Sequence, residues 1–159
     1  MKALSIYFTM GGRTKRMAEA IASALNNYEV TYFPVELKGS LIERIKLLEK
    51  YEEGNYSSLE VDLDSLDAAD YDLVIIGMPT FGSSPPKTFD EILRRLKNLE
   101  DKDVVLFGTS RFRRGGLLHY MKEKVETKGG RVTNQMNFRG LIMLGTKKAI
   151  KFGEMISSS

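Results

Sequence analysis

Apolar positions along the chain fall into two alternating periods. Residues 2–8 hold a near-continuous apolar run, Ala3-Leu4-Ser5-Ile6-Tyr7-Phe8, of strand length. Residues 15–25 then place Met17, Ala18, Ile21, Ala22 and Leu25 on one stripe, with Lys15, Arg16, Glu19 and Ser23 off it. That is the repeat of an amphipathic helix, closed by Asn26-Asn27. Residues 29–35 are β-branched and aromatic (Val30, Thr31, Tyr32, Phe33) and predict a second strand, stopped around Pro34. Ser40-Leu41-Ile42-Glu43 is a capping-box pattern, in which Ser and Glu satisfy each other's free backbone donors. It opens a short helix with Leu41, Ile45 and Leu48 expected inward. The polar residues 52–70 read as a long surface connection.

Residues 71–77, Tyr71-Asp72-Leu73-Val74-Ile75-Ile76-Gly77, give the strongest strand signal. A continuous apolar run suits a central parallel strand covered on both faces. After the loop 78–84, Pro85 and Pro86 preset the first turn of a helix, with Ser84 or Thr88 as N-cap. Phe89, Ile92, Leu93 and Leu96 are its core stripe. Residues 104–107 predict a fourth strand and 108–116 a polar loop. A helix over 117–128 turns Leu118, Met121 and Val125 inward and is closed by Gly129-Gly130. A fifth strand falls within 132–144 and a last helix over 146–156.

Strand and helix alternate throughout, which predicts one α/β domain over residues 1–159. Its core is a doubly wound parallel sheet with helices on both faces. Five strands favour the order 2-1-3-4-5, a three-layer α/β/α arrangement with a ligand crevice where strands 1 and 3 part. Loops 9–14, 78–84 and 108–116 should meet there. The first, Thr9-Met10-Gly11-Gly12-Arg13-Thr14, joins a buried strand to a helix start through a tight glycine turn. Backbone N–H groups and the helix macrodipole converge at such a turn and make it a candidate anion cradle. Neither a Gly-x-x-x-x-Gly-Lys-Ser/Thr loop nor a Gly-x-Gly-x-x-Gly turn occurs.

Composition narrows the chemistry more than the fold. With 42% apolar and 28% charged residues in 159, the chain suits a soluble globular protein. No apolar run approaches bilayer length and no signal-peptide pattern opens the sequence, so the expected location is the cytoplasm, with no membrane partner. Absence of cysteine removes disulfides, thiolate metal sites and Fe–S ligation, and a single histidine removes a multi-histidine metal site. Redox chemistry would therefore need a borrowed organic cofactor. The net charge of +3 and pI near 9.0 point to an acidic partner or ligand and give no nucleic-acid signature. His119 carries no assigned chemistry; Met17, Met121 and Met143 fall at core spacing and read as packing. Asn55-Tyr56-Ser57 matches a glycosylation sequon, which is meaningless in a cytoplasmic chain.

At these residues the chain resembles the flavodoxin-like proteins, essentially end to end. Residues Tyr7 to Thr14 resemble the family's phosphate loop, usually Thr-x-Thr-Gly-Asn-Thr before a helix. Residues Asp70 to Gly82 resemble its third strand and first isoalloxazine loop, and Ser84-Pro85-Pro86 with Phe89 and Leu93 continues the match. Phe107-Gly108-Thr109 resembles the end of its fourth strand. The resemblance implies non-covalent FMN. Its phosphate would sit at the first loop, with hydroxyls from Thr9 and Thr14, backbone N–H groups from Gly11 and Gly12, and Met10 and Arg13 in the same turn. Its ring would lie between Pro79, Thr80, Phe81 and Gly82 on one side and Thr109, Ser110, Arg111 and Phe112 on the other.

Two departures bear on that reading. Gly11 stands where the family usually has Ser or Thr, and Arg13 where it usually has Asn. A guanidinium can bind phosphate bidentately and compensate for the lost hydroxyl, or it can crowd the cradle. The third loop carries Arg111, Arg113 and Arg114 where many flavodoxins are acidic. Three readings of the cluster stand open: a solvated surface, a docking patch for an acidic partner, or a site for nicotinamide-nucleotide phosphates. Beside a flavin, these charges would favour the anionic reduced ring by Coulomb attraction. A phosphoacceptor receiver is disfavoured, since Gly77-Met78 and Thr9-Met10 stand where it needs acidic residues. The reading is an FMN electron carrier, monomer or homodimer, with a redox partner protein or NAD(P)H and no catalytic side chain. The alternatives are an NAD(P)H-dependent FMN reductase or a flavin-free binding or regulatory module.

Overall fold

A computed structural model describes residues 1–52, 59, 61–111, 115–141 and 144–158. Strands β1 (Lys2–Phe8), β2 (Glu29–Val35), β3 (Leu73–Pro79), β4 (Asp103–Ser110) and β5 (Arg131–Arg139) alternate with helices α1 (Arg13–Ala22), α2 (Leu41–Glu52), α3 (Thr88–Arg95), α4 (Leu117–Thr127) and α5 (Lys147–Ser157). The strands form one parallel sheet in the order β2-β1-β3-β4-β5, as expected. Because successive strand side chains point to opposite faces, the apolar runs of β1, β3 and β4 feed two cores. Leu4, Ile6, Phe8, Val74, Ile76, Val104 and Leu106 pack with Phe89, Ile92, Met121 and Val125 of α3 and α4. Ala3, Tyr7, Leu73, Ile75, Val105 and Phe107 pack with Met17 and Ile21 of α1 and Phe152 and Ile156 of α5. Helices α1 and α3 therefore leave the sheet on opposite faces.

Several expectations are corrected. Ile45 of α2 is 56% exposed; the helix is rotated so that Leu47 meets the core instead. The side chains of Leu41 and Leu48 lie outside the described ones. The 52–70 connection is anchored, not merely superficial: Leu59, Leu63, Leu66 and Ala68 are buried, around a 3₁₀ turn at Leu63–Ser65. Neither Ser84 nor Thr88 caps α3, whose N-cap is Lys87 with no side-chain cap; Pro85 and Pro86 precede the helix and Pro86 O closes its first turn on Phe89 N–H at 2.9 Å. Strand β4 runs on to Ser110, so the third loop is shorter than the polar composition implied. Met17 and Met121 are buried, His119 is exposed, and Pro34 sits within edge strand β2, where a missing donor is tolerated. The capping box forms, with Ser40 N–H donating to Glu43 Oε2 at 2.6 Å and Glu43 N–H to Ser40 Oγ at 3.4 Å. Residues 55–57 and Met143 lie outside the described residues.

On the α1–α5 face, Gly153 permits close approach. A Cβ there would lie 2.3 Å from Ile21 O and 2.9 Å from Ala24 Cβ. Forcing one in overpacks two helices against backbone. Gly153→Ala should lower stability by about 1–3 kcal/mol, and an unchanged urea midpoint would contradict this packing.

On the other face, Glu91 of α3 is buried and accepts from Arg94 Nε at 3.0 Å and Nη2 at 2.7 Å, and from Arg95 Nε at 2.5 Å. Arg95 Nη1 also donates to Asp64 at 2.9 Å, tying α3 to the 3₁₀ turn. Donation from Arg94 holds the Glu91 carboxyl below its ordinary value despite its burial, with Arg95 adding to the effect. A depressed folded-state value stabilises above the ordinary carboxylate range, and that stabilisation is lost as pH falls through the folded value. Urea unfolding across a pH series should find the stability gap between the wild type and Glu91→Gln narrowing below about pH 4.5. A gap constant down to acid pH is the contrary result.

Candidate functional site

The carboxyl ends of β1, β3 and β4 surround a cavity of about 470 Å³. It is lined by Thr9, Met10, Gly11, Arg13 and Thr14 from the first loop, Pro79, Thr80, Phe81 and Gly82 from the second, and Thr109, Ser110 and Arg111 from the third. These are twelve of the fourteen residues expected from the sequence. Gly12 is exposed beside the cavity, and Phe112 lies outside the described residues, as do Arg113 and Arg114.

The first loop is shaped by its own hydrogen bonds. Thr9 N–H donates to Val35 O at 3.3 Å, and Thr9 Oγ1 accepts from Gly12 N–H at 3.0 Å. Gly12 is the N-cap of α1 with φ +79°, a left-handed conformation that costs a side-chain-bearing residue strain. No side chain caps α1 and no acidic residue stands in its first turn, so its positive end is not neutralised from within. Gly11 is different: a Cβ there would meet nothing within 4 Å, so the missing side chain leaves open space beside the turn. The loop is held from behind by Arg44 of α2, whose Nη1 donates to Met10 O at 3.5 Å and whose Nη2 lies 3.7 Å from Glu36 Oε2.

Hydroxyls link the loops. Thr14 Oγ1 and Thr109 Oγ1 lie 2.9 Å apart, buried, so one hydrogen serves the pair and the other is left to donate elsewhere. Thr9 keeps its hydroxyl hydrogen after accepting from Gly12, and Thr80 Oγ1 is buried with no partner among the described residues. Thr80 N–H donates to Thr109 O at 2.9 Å, and Phe81 and Ser84 exchange backbone bonds of 2.9 and 3.2 Å around Gly82 at φ +65°. That turn sets Phe81 edge-on to Phe8 at 6.4 Å, half inside the core and half facing the cavity. Gly115 lets the third loop reach the second, since a Cβ there would stand 2.5 Å from Ser83 O.

Arg13 is turned across the crevice. Its Nη2 donates to Gly140 O and, at 3.4 Å, to Ser110 O, so the guanidinium straps the start of α1 to the ends of β4 and β5. Desolvation lowers its pKa, and the charge of Arg111 lowers it further. Sequence reasoning missed Arg44, Gly115 and Asn137, whose Nδ2 donates to Ser110 Oγ at 3.2 Å. None carries a local motif; each acts across more than twenty residues of chain. Among the described residues the lining holds two arginines, five hydroxyl side chains with Ser110 among them, and no carboxylate, beside an apolar edge of Met10, Pro79 and Phe81. Such a site suits a ligand with an anionic end and a flat apolar body.

The architecture and its switch-point cavity define a flavodoxin-like α/β fold. Solved structures with this fold include a flavodoxin from the domain Archaea (19% identity, 99% of this chain and 97% of that one, TM-score 0.65). Two-electron reduced Megasphaera elsdenii flavodoxin matches at 19% identity over 99% of both chains with TM-score 0.64. A flavoprotein of Lactobacillus acidophilus in complex with FMN matches at 24% identity over 86% of this chain and 92% of that one, with TM-score 0.56. No family model matches the chain, and no curated protein matches its sequence. Likeness at these identities carries the fold.

If Arg13 is the strap between loops, Arg13→Ala should cost about 1.5–3 kcal/mol, the range for hydrogen bonds that involve a charged group. Amide exchange should accelerate first at residues 139–141. Uniform loss of protection across the sheet would instead make Arg13 a general stability residue.

Proposed function

We propose that the chain is a flavoprotein that holds FMN non-covalently in the switch-point cavity and serves as an electron carrier. The observation that carries this reading is the convergence of twelve expected residues on one cavity of about 470 Å³, within the usual range for a small-ligand site. The residues fit the group. Thr9 and the Thr14–Thr109 pair offer hydroxyl hydrogens at the uncapped start of α1, where a phosphate dianion is favoured. Gly11 leaves space there, and no lining carboxylate opposes the charge. Pro79, Phe81 and Met10 give a flat ring an apolar wall, while the unpartnered Thr80 hydroxyl offers it a buried polar contact.

FMN would supply the redox chemistry, and the chain's residues bind, orient and shield it. Arg111, exposed at the rim, adds positive charge beside the ring's expected position and favours the reduced, anionic form. The apolar wall excludes water from one side while the rim stays open to a partner. Solved structures named as flavodoxins, and one named as an FMN complex, share the fold and support the reading.

Flavin-fluorescence titration tests it, with riboflavin as the phosphate-free comparison. FMN should bind at micromolar concentration or below, and Thr9→Ala should weaken FMN by about tenfold, one good charge-assisted hydrogen bond, while leaving riboflavin nearly unchanged. Absence of FMN binding overturns the proposal, and equal losses for both flavins would move the phosphate away from Thr9.

A further inference from the structure

The charges of this chain are segregated along its length. Residues 104–153 hold eleven lysines and arginines against two glutamates, while the rest of the chain holds thirteen against nineteen aspartates and glutamates. Because β4 and β5 stand at one end of the sheet, the described residues of that segment occupy one side of the molecule. A mild overall charge of +3 thus hides a strongly positive side and a negative one.

The cations concentrate further at the carboxyl end of β5. Arg16 of α1, Arg139 at the end of β5, and Lys147 and Lys148 at the start of α5 line one open cavity of about 470 Å³. Arg111 stands close by, since it follows Ser110, the register partner of Arg139. All five are exposed, and none forms an ion pair with a described residue. Ion pairs do form at other positions: Arg44 with Glu36, Arg94 and Arg95 with Glu91, Lys122 with Glu126, Arg131 with Asp103. The nearest acids along these helices, Glu19 and Glu154, are both exposed and lie beyond ion-pair distance. Leu141, 58% exposed and two residues past Arg139, gives the patch an apolar point.

We propose that Arg16, Arg111, Arg139, Lys147 and Lys148, around Leu141, form a docking face for an acidic protein, which would sit beside the mouth of the switch-point cavity. An apolar point inside a charged rim is the make-up of a protein–protein contact. The charge asymmetry orients an acidic globular partner toward this end before contact, because the remaining surface repels it. A nucleic-acid duplex is the less favoured occupant, since its charged backbone extends past the patch onto the negative side. The inference rests on the surface charge and not on the flavin reading.

The test uses the ¹⁵N-labelled chain and a plant-type [2Fe–2S] ferredoxin as the acidic probe protein. Amide shifts should cluster at residues 16, 111, 139–141 and 147–148. Affinity should fall by about tenfold in Lys147→Glu/Lys148→Glu, and by at least as much between low and physiological salt. Lys38→Glu/Lys46→Glu, the same charge change on exposed lysines at the β2 side, should leave it within about twofold. Equal losses in the two double variants reduce the effect to net charge and overturn the proposal. So do shifts scattered over the molecule, or tighter binding of a DNA duplex than of the ferredoxin. FMN titration of the same variants is read separately: failure to bind flavin sinks the cofactor reading and leaves the docking result standing.

Discussion

The candidate site depends on one constraint, the parting of chain directions between β1 and β3. Both strands are parallel and hydrogen-bonded to each other, yet β1 hands the chain to α1 on one face and β3 hands it to α3 on the other. Right-handed crossovers allow no other arrangement once β2 and β4 lie on opposite sides of the pair. The first and second loops must then diverge, and the space between them is the cavity. Its depth follows from the register, which sets Tyr7 against Gly77, Gly77 against Phe107, and Pro79 against Thr109, so the three loops leave the sheet at nearly one level.

Contacts across that crevice are few and polar, and they differ in kind. The Thr14–Thr109 hydroxyl pair and the Thr80–Thr109 backbone bond join neighbouring loops through groups that retain hydrogen-bonding capacity. Arg13 spans farther, to carbonyls at the ends of two strands. A guanidinium serves here because it presents several donors in a fixed plane and keeps its charge even where burial and Arg111 oppose it. Of the two roles open to Arg13 from sequence, bidentate anion ligand or obstruction, its hydrogen bonds add a third: a strap that shapes the cavity wall.

What was legible in the sequence follows how directly each element is buried. Strands β1 and β3 are covered on both faces, and their apolar runs marked β1 to the residue and β3 to within two residues at each end. Helix α3 showed its stripe because Phe89, Ile92 and Leu93 face one core, but its start was misread since Lys87 caps it by backbone alone. Strand β5 was hard to delimit because it lies at the sheet edge: Val132, Asn134 and Met136 are only half-buried, alternating with exposed polar residues. Ile45 was misassigned because an exposed isoleucine is common, and a weak stripe does not fix the rotation of a surface helix. The cavity lining was legible because it follows from three strand ends. The supports from Arg44 and Asn137 were not, since each is paired only by the fold.

Charge shows the same division between local and assembled information. Arg16 is far in sequence from Arg139, Lys147 and Lys148; only the sheet order and the packing of α1 on α5 bring them to one cavity. Exposed like charges in a high-dielectric surround repel each other weakly, by about 1 kcal/mol or less per pair, so the fold tolerates the grouping. Tolerance alone does not explain why no described acid pairs with these cations, when the same chain pairs Glu91, Asp103 and Glu126 with cations at other positions. An internal counter-charge would cost nothing structurally at exposed positions on α5 or β5. Its absence leaves the field of this end directed outward, where it acts on whatever approaches the cavity mouth and not on the stability of the sheet behind it.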